Sequence, residues 1–226
     1  MIENNVEKKI VIVTGGDKNI GKSIAESYLE DGYIVAILAR NKKKLMDTAS
    51  EFNQKYDKRC HTYVCDITDR VLLNKTINHI EENLGQIYVL INNAGANSRS
   101  KIDKHTDAEW DEEIQTNLTG ARNCAIMVFQ YMKNRGGYVI NIASIKAKEP
   151  TSSIGYGASK AGVIGLTKSL AKQFIPYNVY VNCIAPGFIN TGMSKLLSPK
   201  EINSYLERIP IGRMGEEKEI ANVVKF

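Results

Sequence analysis

Long hydrophobic runs are missing from this 226-residue sequence. The longest, Ile34 to Ala39, falls far short of the roughly 18 to 20 apolar residues that span a bilayer, so no membrane-spanning segment is expected. Cysteine is scarce: Cys60, Cys65, Cys124 and Cys183 stand 5, 59 and 59 residues apart, which fits neither a zinc knuckle nor a small disulfide scaffold and points to reduced thiols. The three histidines, His61, His79 and His105, fall in no H-E-x-x-H or Cys/His cluster, so no metal site is expected. Charge of one sign never accumulates. Thirty lysines and arginines face 25 acidic residues, a net +5 that is scattered apart from Lys42, Lys43 and Lys44. That pattern lacks the dense basic stripe of a nucleic-acid binder, whereas a small anionic ligand suits it. The stretch Met1 to Lys9 mixes Glu, Asn and Lys with no apolar signal region, from which a cytoplasmic protein is expected.

With 43% hydrophobic residues, the chain is long enough for one sizeable core, and no repeat or Ser/Pro-rich linker divides it; a single domain over 1–226 is expected. Short apolar or β-branched runs alternate with longer amphipathic stretches. Six read as strands: Ile10 to Val13, Ile34 to Leu38, Thr62 to Val64, Val89 to Ile91, Tyr138 to Ile142 and Val179 to Cys183. The clearest helix places Trp110, Ile114, Leu118, Ala121, Ala125, Val128 and Met132 at steps of 3 or 4 on one face, the spacing of a core-facing stripe. The fold class implied is α/β: a doubly wound parallel sheet between two layers of helices, Rossmann-like. Glu217 to Phe226 reads as an amphipathic helix, after which such a fold would supply one more strand; that last strand is expected to be missing, either because the chain is truncated or because the fold closes early.

After the first strand comes Thr14-Gly15-Gly16-Asp17-Lys18-Asn19-Ile20-Gly21, then a helical pattern beginning near Ile20. A glycine-rich turn between a strand and a helix lets backbone N–H groups approach a pyrophosphate at the positive end of the helix, although this spacing departs from G-x-G-x-x-G. Where an acidic residue would hold the ribose of NAD, the sequence has Arg40, and Lys18 lies in the turn itself. Two cations at these positions favour NADP(H). Asp66, followed by Ile67 after the third strand, either accepts from an adenine amino group or caps a helix starting near Thr68. Asn92-Asn93-Ala94-Gly95 closes the fourth strand on the side where open α/β sheets bind ligands.

Tyr156 and Lys160 stand four apart, on one face of a helix. A nearby ammonium favours the phenolate, so the Tyr156 pKa is expected to fall toward the range of a working acid or base. Ser144 lies 12 residues upstream, just past the fifth strand, and Asn117 interrupts a helix that otherwise faces the core. The ordered set of Thr14 to Gly21, Asn92 to Gly95, Asn117, Ser144, Tyr156, Lys160 and Pro186-Gly187 resembles the short-chain dehydrogenase/reductase family over essentially the whole chain. Within it, Lys160 to Ala171, Ile184 to Thr191 and Ile209 to Gly215 are most similar to 3-oxoacyl-[acyl-carrier-protein] reductases.

The resemblance implies NADPH-dependent reduction of a ketone, most like a 3-oxoacyl thioester of fatty acid biosynthesis, which an acyl carrier protein can present. A hydride passes from the nicotinamide to the carbonyl carbon while Tyr156 gives its oxygen a proton. Ser144 is implied to hydrogen-bond that oxygen, and Lys160 to lower the Tyr156 pKa and hold the nicotinamide ribose. Asn117 is implied to position a water that passes protons to Lys160. Gly15, Lys18, Asn19, Ile20, Gly21, Arg40, Asp66, Ile67, Asn93, Ala94 and Gly95 are implied to bind the cofactor, with Pro186, Gly187, Ile189 and Thr191 at its nicotinamide end. A homodimer or homotetramer is expected, paired through the helices of Trp110 to Met132 and Gly157 to Phe174. The sequence departs from the family pattern at Asn19, which replaces a glycine and is expected to crowd or hydrogen-bond the cofactor, and at Tyr177, which stands where a carrier-greeting arginine would accompany Arg135. The loop Asn97 to Lys104 also lacks the usual apolar character. These departures keep two alternatives open: an oxidoreductase of a sugar, polyol or secondary-metabolite ketone, and a non-catalytic NADPH-binding module.

Overall fold

The first strand explains the layering. Along Lys9–Thr14 (β1), Ile10 and Ile12 point into one core while Val11 and Val13 point into another, because strand side chains alternate between faces. A strand apolar on both faces must be covered on both, which is why its sequence reads as an uninterrupted run. The computed structural model describes residues 9–192, 194 and 197–226. Residues 1–8, which carried the expectation of no signal region, lie outside them.

β1 is joined in a parallel sheet by Ile34–Ala39 (β2), Cys60–Val64 (β3), Gln86–Asn92 (β4), Gly137–Ile142 (β5) and Val179–Ile184 (β6), in the order β3-β2-β1-β4-β5-β6. One face is covered by Asn19–Glu30 (α1) and Lys42–Lys55 (α2), which insert Ile24, Leu29, Leu45 and Phe52. The other takes Arg70–Asn83 (α3), through Leu73, Ile77 and Ile80, with helices further along the chain. The expected doubly wound sandwich is present, and its six strands sit where the apolar runs lie. The strand order reverses between β1 and β4, which opens a crevice at their C-terminal ends.

The long helix differs from its expected stripe. Asp107–Ile114 (α4) passes through a π-helical turn at Gln115–Gly120 into Ala121–Met132 (α5). Ala121, Ala125, Val128 and Met132 are buried as expected, but Trp110 is 38% exposed and Ile114 and Leu118 are only half-buried. The wider π turn changes the helical phase, so Glu113, Thr116 and Asn117 face inward instead. A further helix, Ile154–Phe174 (α6), packs Leu170 and Phe174 into the same core.

β6 is the sheet's edge among the described residues, with Tyr138 and Tyr180 stacked and half-exposed on the face across β5 and β6. Among the described residues no seventh strand joins it. The rest of the chain forms Ile189–Asn190 (β7), paired in parallel with Gly215–Glu216 (β8), and the helices Pro199–Leu206 (α7) and Glu217–Lys225 (α8). The last helix returns Ala221 and Val224 to the core beneath α1. No described helix is long and apolar enough to cross a membrane.

Side-chain amides tie α6 to the sheet. Asn92 Nδ2 donates to the Ala121 carbonyl (3.0 Å) and to Asn141 Oδ1 (2.9 Å), and Asn141 Nδ2 donates to Thr167 Oγ1 (2.9 Å). Thr167 in turn donates to the Val163 carbonyl at 2.7 Å. All three side chains are buried, so truncating one leaves its partners unsatisfied. Asn141→Leu is expected to lower stability by about 1–3 kcal/mol, read as a drop in urea midpoint at unchanged slope; an unchanged midpoint would show that the line is not holding the helix.

Candidate active site

The strand ends at the crevice are clasped before any ligand arrives. Thr14 Oγ1 donates to the Ile91 carbonyl (3.2 Å) and accepts from the N–H groups of Asn93 and Ala94 (3.0 Å each). Asn93 returns its amide to the carbonyls of Thr14 (3.0 Å) and Gly15 (3.1 Å), so its side chain is engaged in shaping the turn. Gly15 adopts φ +64°, and a Cβ on Gly21 would collide with the Gly15 carbonyl; only a bare backbone can fold this tightly. Lys18, at the N-cap of α1, offers no side-chain acceptor, which leaves the first N–H groups of that helix to an anion or water.

Asn19 also lies at positive φ, +48°, a conformation asparagine tolerates better than other non-glycine residues. Its Oδ1 accepts from the Gly192 N–H at 3.3 Å. The amide expected to meet the cofactor thus bridges to the turn after β7.

At the far end of the crevice, Arg40 donates from both terminal nitrogens to Glu112 Oε1 (3.4 Å each) and lies 4.0 Å from Asp66 Oδ2. The guanidinium is largely exposed, so these pairings are weak and a phosphate can displace them. Asp66 does not cap α3. Its Oδ1 accepts from the N–H and hydroxyl of Thr68 in a local turn, while Asp69 takes the cap by accepting from Val71 and Leu72. Ile67 is buried against Gly120.

The reaction end is built from β5 and α6. Lys160 is 4% exposed, and its Nζ donates to the Ile142 carbonyl at 2.7 Å. Burial lowers its pKa from 10.5 to about 8. Four residues earlier, Tyr156 shifts upward, opposite to expectation. Burial is the largest cause and Glu113 adds to it, while hydrogen bonding with Ser144 and the charge of Arg99 pull the other way. The Lys160 ammonium donates to Ile142 and lies 5.7 Å from the Tyr156 ring centre, and it is not among the groups that shift the Tyr156 pKa. Asn117 sits behind the crevice wall in the π turn: its Oδ1 accepts from the Ala96 N–H (2.7 Å), and its Nδ2 donates to the Ala96 carbonyl and Ser159 Oγ (2.9 Å each).

A single cleft of about 460 Å³ joins these ends. Gly15, Lys18, Asn19, Ile20 and Gly21 line its turn side, and Arg40, Asp66 and Ile67 its far side. Asn93, Ala94, Gly95, Ser144, Tyr156 and Lys160 line the middle, with Pro186, Gly187, Ile189 and Thr191 at the opposite wall. Of the residues implied to carry the reaction or bind the cofactor, Asn117 alone is not on that lining. The sequence reading passed over Arg99, Phe188 and Leu197, which line the cleft, and Glu113, buried just outside it. Arg99 had a legible signal, a basic residue just beyond Asn92 to Gly95; Glu113 had none. Among the described residues, no three His, Cys, Asp or Glu side chains could hold a metal ion.

A strand-turn-helix phosphate cradle joined to a Ser, Tyr and Lys cluster defines a nucleotide-dependent oxidoreductase acting on CH–OH or C=O. The family model for short chain dehydrogenases matches residues 9–202, and the chain belongs to that family. It is 35% identical to the 3-oxoacyl-[acyl-carrier-protein] reductase FabG of Aquifex aeolicus, with 100% of this chain and 92% of that one covered. With the corresponding protein of Thermotoga maritima it shares 34% identity over 98% and 90% of the two chains. Among solved structures, a variant of actinorhodin polyketide ketoreductase with NADPH superposes at a TM-score of 0.90, with 28% identity over 96% and 89% of the chains.

Lys160 has a measurable cost. Its pKa in the folded chain lies below its unfolded value, so between pH about 8 and 10.5 the unfolded chain binds a proton that the folded chain does not, and stability rises with pH there. Below about 8 the full burial penalty applies. Lys160→Met is therefore expected to raise the urea midpoint near pH 7 relative to the parent, with the advantage shrinking as pH climbs toward 10.5. A lower midpoint near pH 7 would contradict this.

Proposed function

We propose that this chain is an NADPH-dependent ketoreductase whose substrate is a 3-oxoacyl thioester. The observation that carries the reading is the convergence of Ser144, Tyr156 and Lys160 at one end of a cleft whose other end offers Arg40 and the open N-terminus of α1. The cradle fits a dinucleotide. Gly15 and Gly21 keep side chains out of the turn, and Lys18 and Arg40 supply charge for a 2′-phosphate.

When bound, the nicotinamide supplies a hydride to the carbonyl carbon. Tyr156, kept protonated at neutral pH by burial, donates its proton to the carbonyl oxygen. Ser144 hydrogen-bonds that oxygen as charge develops on it. Lys160 would hold the nicotinamide ribose, and its charge would favour the phenolate left behind. Asn117 contributes through position, spanning the Ala96 backbone and Ser159, the neighbour of Lys160. In this reading Gly95 allows close approach beside Lys160, and Pro186, Gly187, Ile189 and Thr191 flank the nicotinamide. The chain would work as a homodimer or homotetramer, and the exposed Trp110 and Ile154 on α4 and α6 suit such pairing.

The relatives named for acyl carrier protein favour the thioester. The surface is less suited to the carrier itself: Arg135 is held by Glu81 at 2.6 Å, and Tyr177 packs edge-on against Phe129. A second reading, a more polar ketone of sugar or secondary-metabolite type, is favoured by Asn97 and Arg99 lining the cleft. NADPH oxidation with acetoacetyl groups on acyl carrier protein and on coenzyme A, alongside polar ketones, separates these. Faster turnover of either thioester supports the proposal, and turnover of polar ketones alone overturns it.

Tyr156→Phe is expected to lower kcat by about a thousandfold while NADPH still binds in a fluorescence titration; retained turnover would remove Tyr156 as the proton donor. Arg40→Asp is expected to shift the kcat/KM ratio from NADPH toward NADH, and an unchanged ratio would refute the 2′-phosphate role.

A further inference from the structure

Glu113 is a buried carboxylate that the reaction chemistry above does not use. It lies in the last turn of α4 at 1% exposure. Its Oε1 accepts from the Ser98 N–H (2.8 Å), the Ser98 hydroxyl (3.1 Å) and the Ser153 hydroxyl (2.8 Å). Ser98 belongs to the loop that reaches the cleft through Asn97 and Arg99, and Ser153 is the N-cap position of α6. Gly155 passes so close that a Cβ there would collide with the carboxylate, and the next residue is Tyr156. The second oxygen, Oε2, faces His105 Nε2 at 3.7 Å, with the His105 side chain 5% exposed and neither atom otherwise hydrogen-bonded among the described residues. A lone pair on Nε2 would confront the carboxylate, so the proton belongs on Nε2.

We infer that Glu113 is a positioning residue for the reduction: it fixes the first turn of α6, and with it the Tyr156 phenol, against the loop that walls the substrate end of the cleft. The inference rests on Tyr156 being the proton donor. An apolar side chain would fill the same space without the desolvation cost of a carboxylate, but it would leave Ser98 and Ser153 with nothing to share. One oxygen accepting from both sides makes loop and helix a single body. The charge has its own effect, because a carboxylate this near disfavours the phenolate and adds to what burial does at Tyr156. The other groups acting on the phenol are Ser144 after β5 and Arg99 from the loop, with the Lys160 ammonium 5.7 Å from the ring centre. His105 faces both Glu113 and Glu109.

Two variants of the full chain separate bond from charge. Glu113→Gln keeps the shape and the Oε1 acceptor, and its amide can donate to His105 once the imidazole proton moves to Nδ1. Reduction needs protonated Tyr156, so kcat falls on the alkaline side as Tyr156 ionises; in Glu113→Gln that limb is expected to move to lower pH, with the ketone KM close to the parent's. Glu113→Val removes the bonds as well and is expected to raise the ketone KM by roughly tenfold, with NADPH affinity unchanged. The inference is overturned if the limb stays in place in Glu113→Gln and KM stays in place in Glu113→Val, whatever either does to the melting temperature. Turnover by Tyr156→Phe would indict the underlying reading instead. If Glu113→Val does not fold, or no tested ketone is reduced, the tyrosinate ultraviolet titration of Tyr156, taken as the difference from Tyr156→Phe, decides: a lower pKa in Glu113→Gln upholds the charge effect and an unchanged one overturns it.

Discussion

Everything at the reaction end depends on holding one ammonium where water barely reaches. Lys160 arrives there because α6 presents Ser159, Lys160, Val163, Thr167, Leu170 and Phe174 to the interior at steps that keep one face inward. Its upper part is polar and its lower part apolar, so the same face both anchors in the core and brings Lys160 to the cleft. The rotation of the helix is fixed by the line from Asn92 through Asn141 to Thr167, two turns beyond Lys160, and by Ser159 against Asn117. With the rotation fixed, Tyr156 has no choice but to line the cleft. Burial that is unfavourable for the ammonium is thus the condition for placing it at the cleft, one helical turn from Tyr156.

The sheet was legible because burial on both faces leaves an unmistakable mark: strands such as β1 and β2 carry no polar alternation, and the helices between them do. The two-residue strands β7 and β8 are too short to show any period. The π turn at Gln115–Gly120 was not legible either, since it changes the helical phase without ending the helix, and it is what moves Trp110 outward and Glu113 inward. Nearly every residue singled out from the motifs lies on one cleft, because the order of turn, strand end and helix dictates the convergence. What failed was inference from spacing to contact. Tyr156 and Lys160 share a helix face, yet Nζ turns to the Ile142 carbonyl, so the tyrosine feels burial before it feels the cation. Asp66 and Asp69 show the same limit: both suit a cap, and only geometry gives the role to Asp69.

Two ends of one cleft are electrostatically different. Near β2, Arg40 rests on Glu112 and close to Asp66, an exposed and exchangeable arrangement suited to release and rebinding of a charged ligand. Near α6, Ser159, Lys160 and Asn117 are buried and hydrogen-bonded, an arrangement suited to holding geometry.

The most direct test of the account is a crystal structure with NADPH bound. The account predicts the 2′-phosphate against Arg40 and Lys18, the pyrophosphate at the start of α1, and the Lys160 ammonium within hydrogen-bond reach of the nicotinamide ribose. A dinucleotide whose pyrophosphate lies away from α1, or whose ribose leaves Lys160 bound to Ile142 alone, would contradict it.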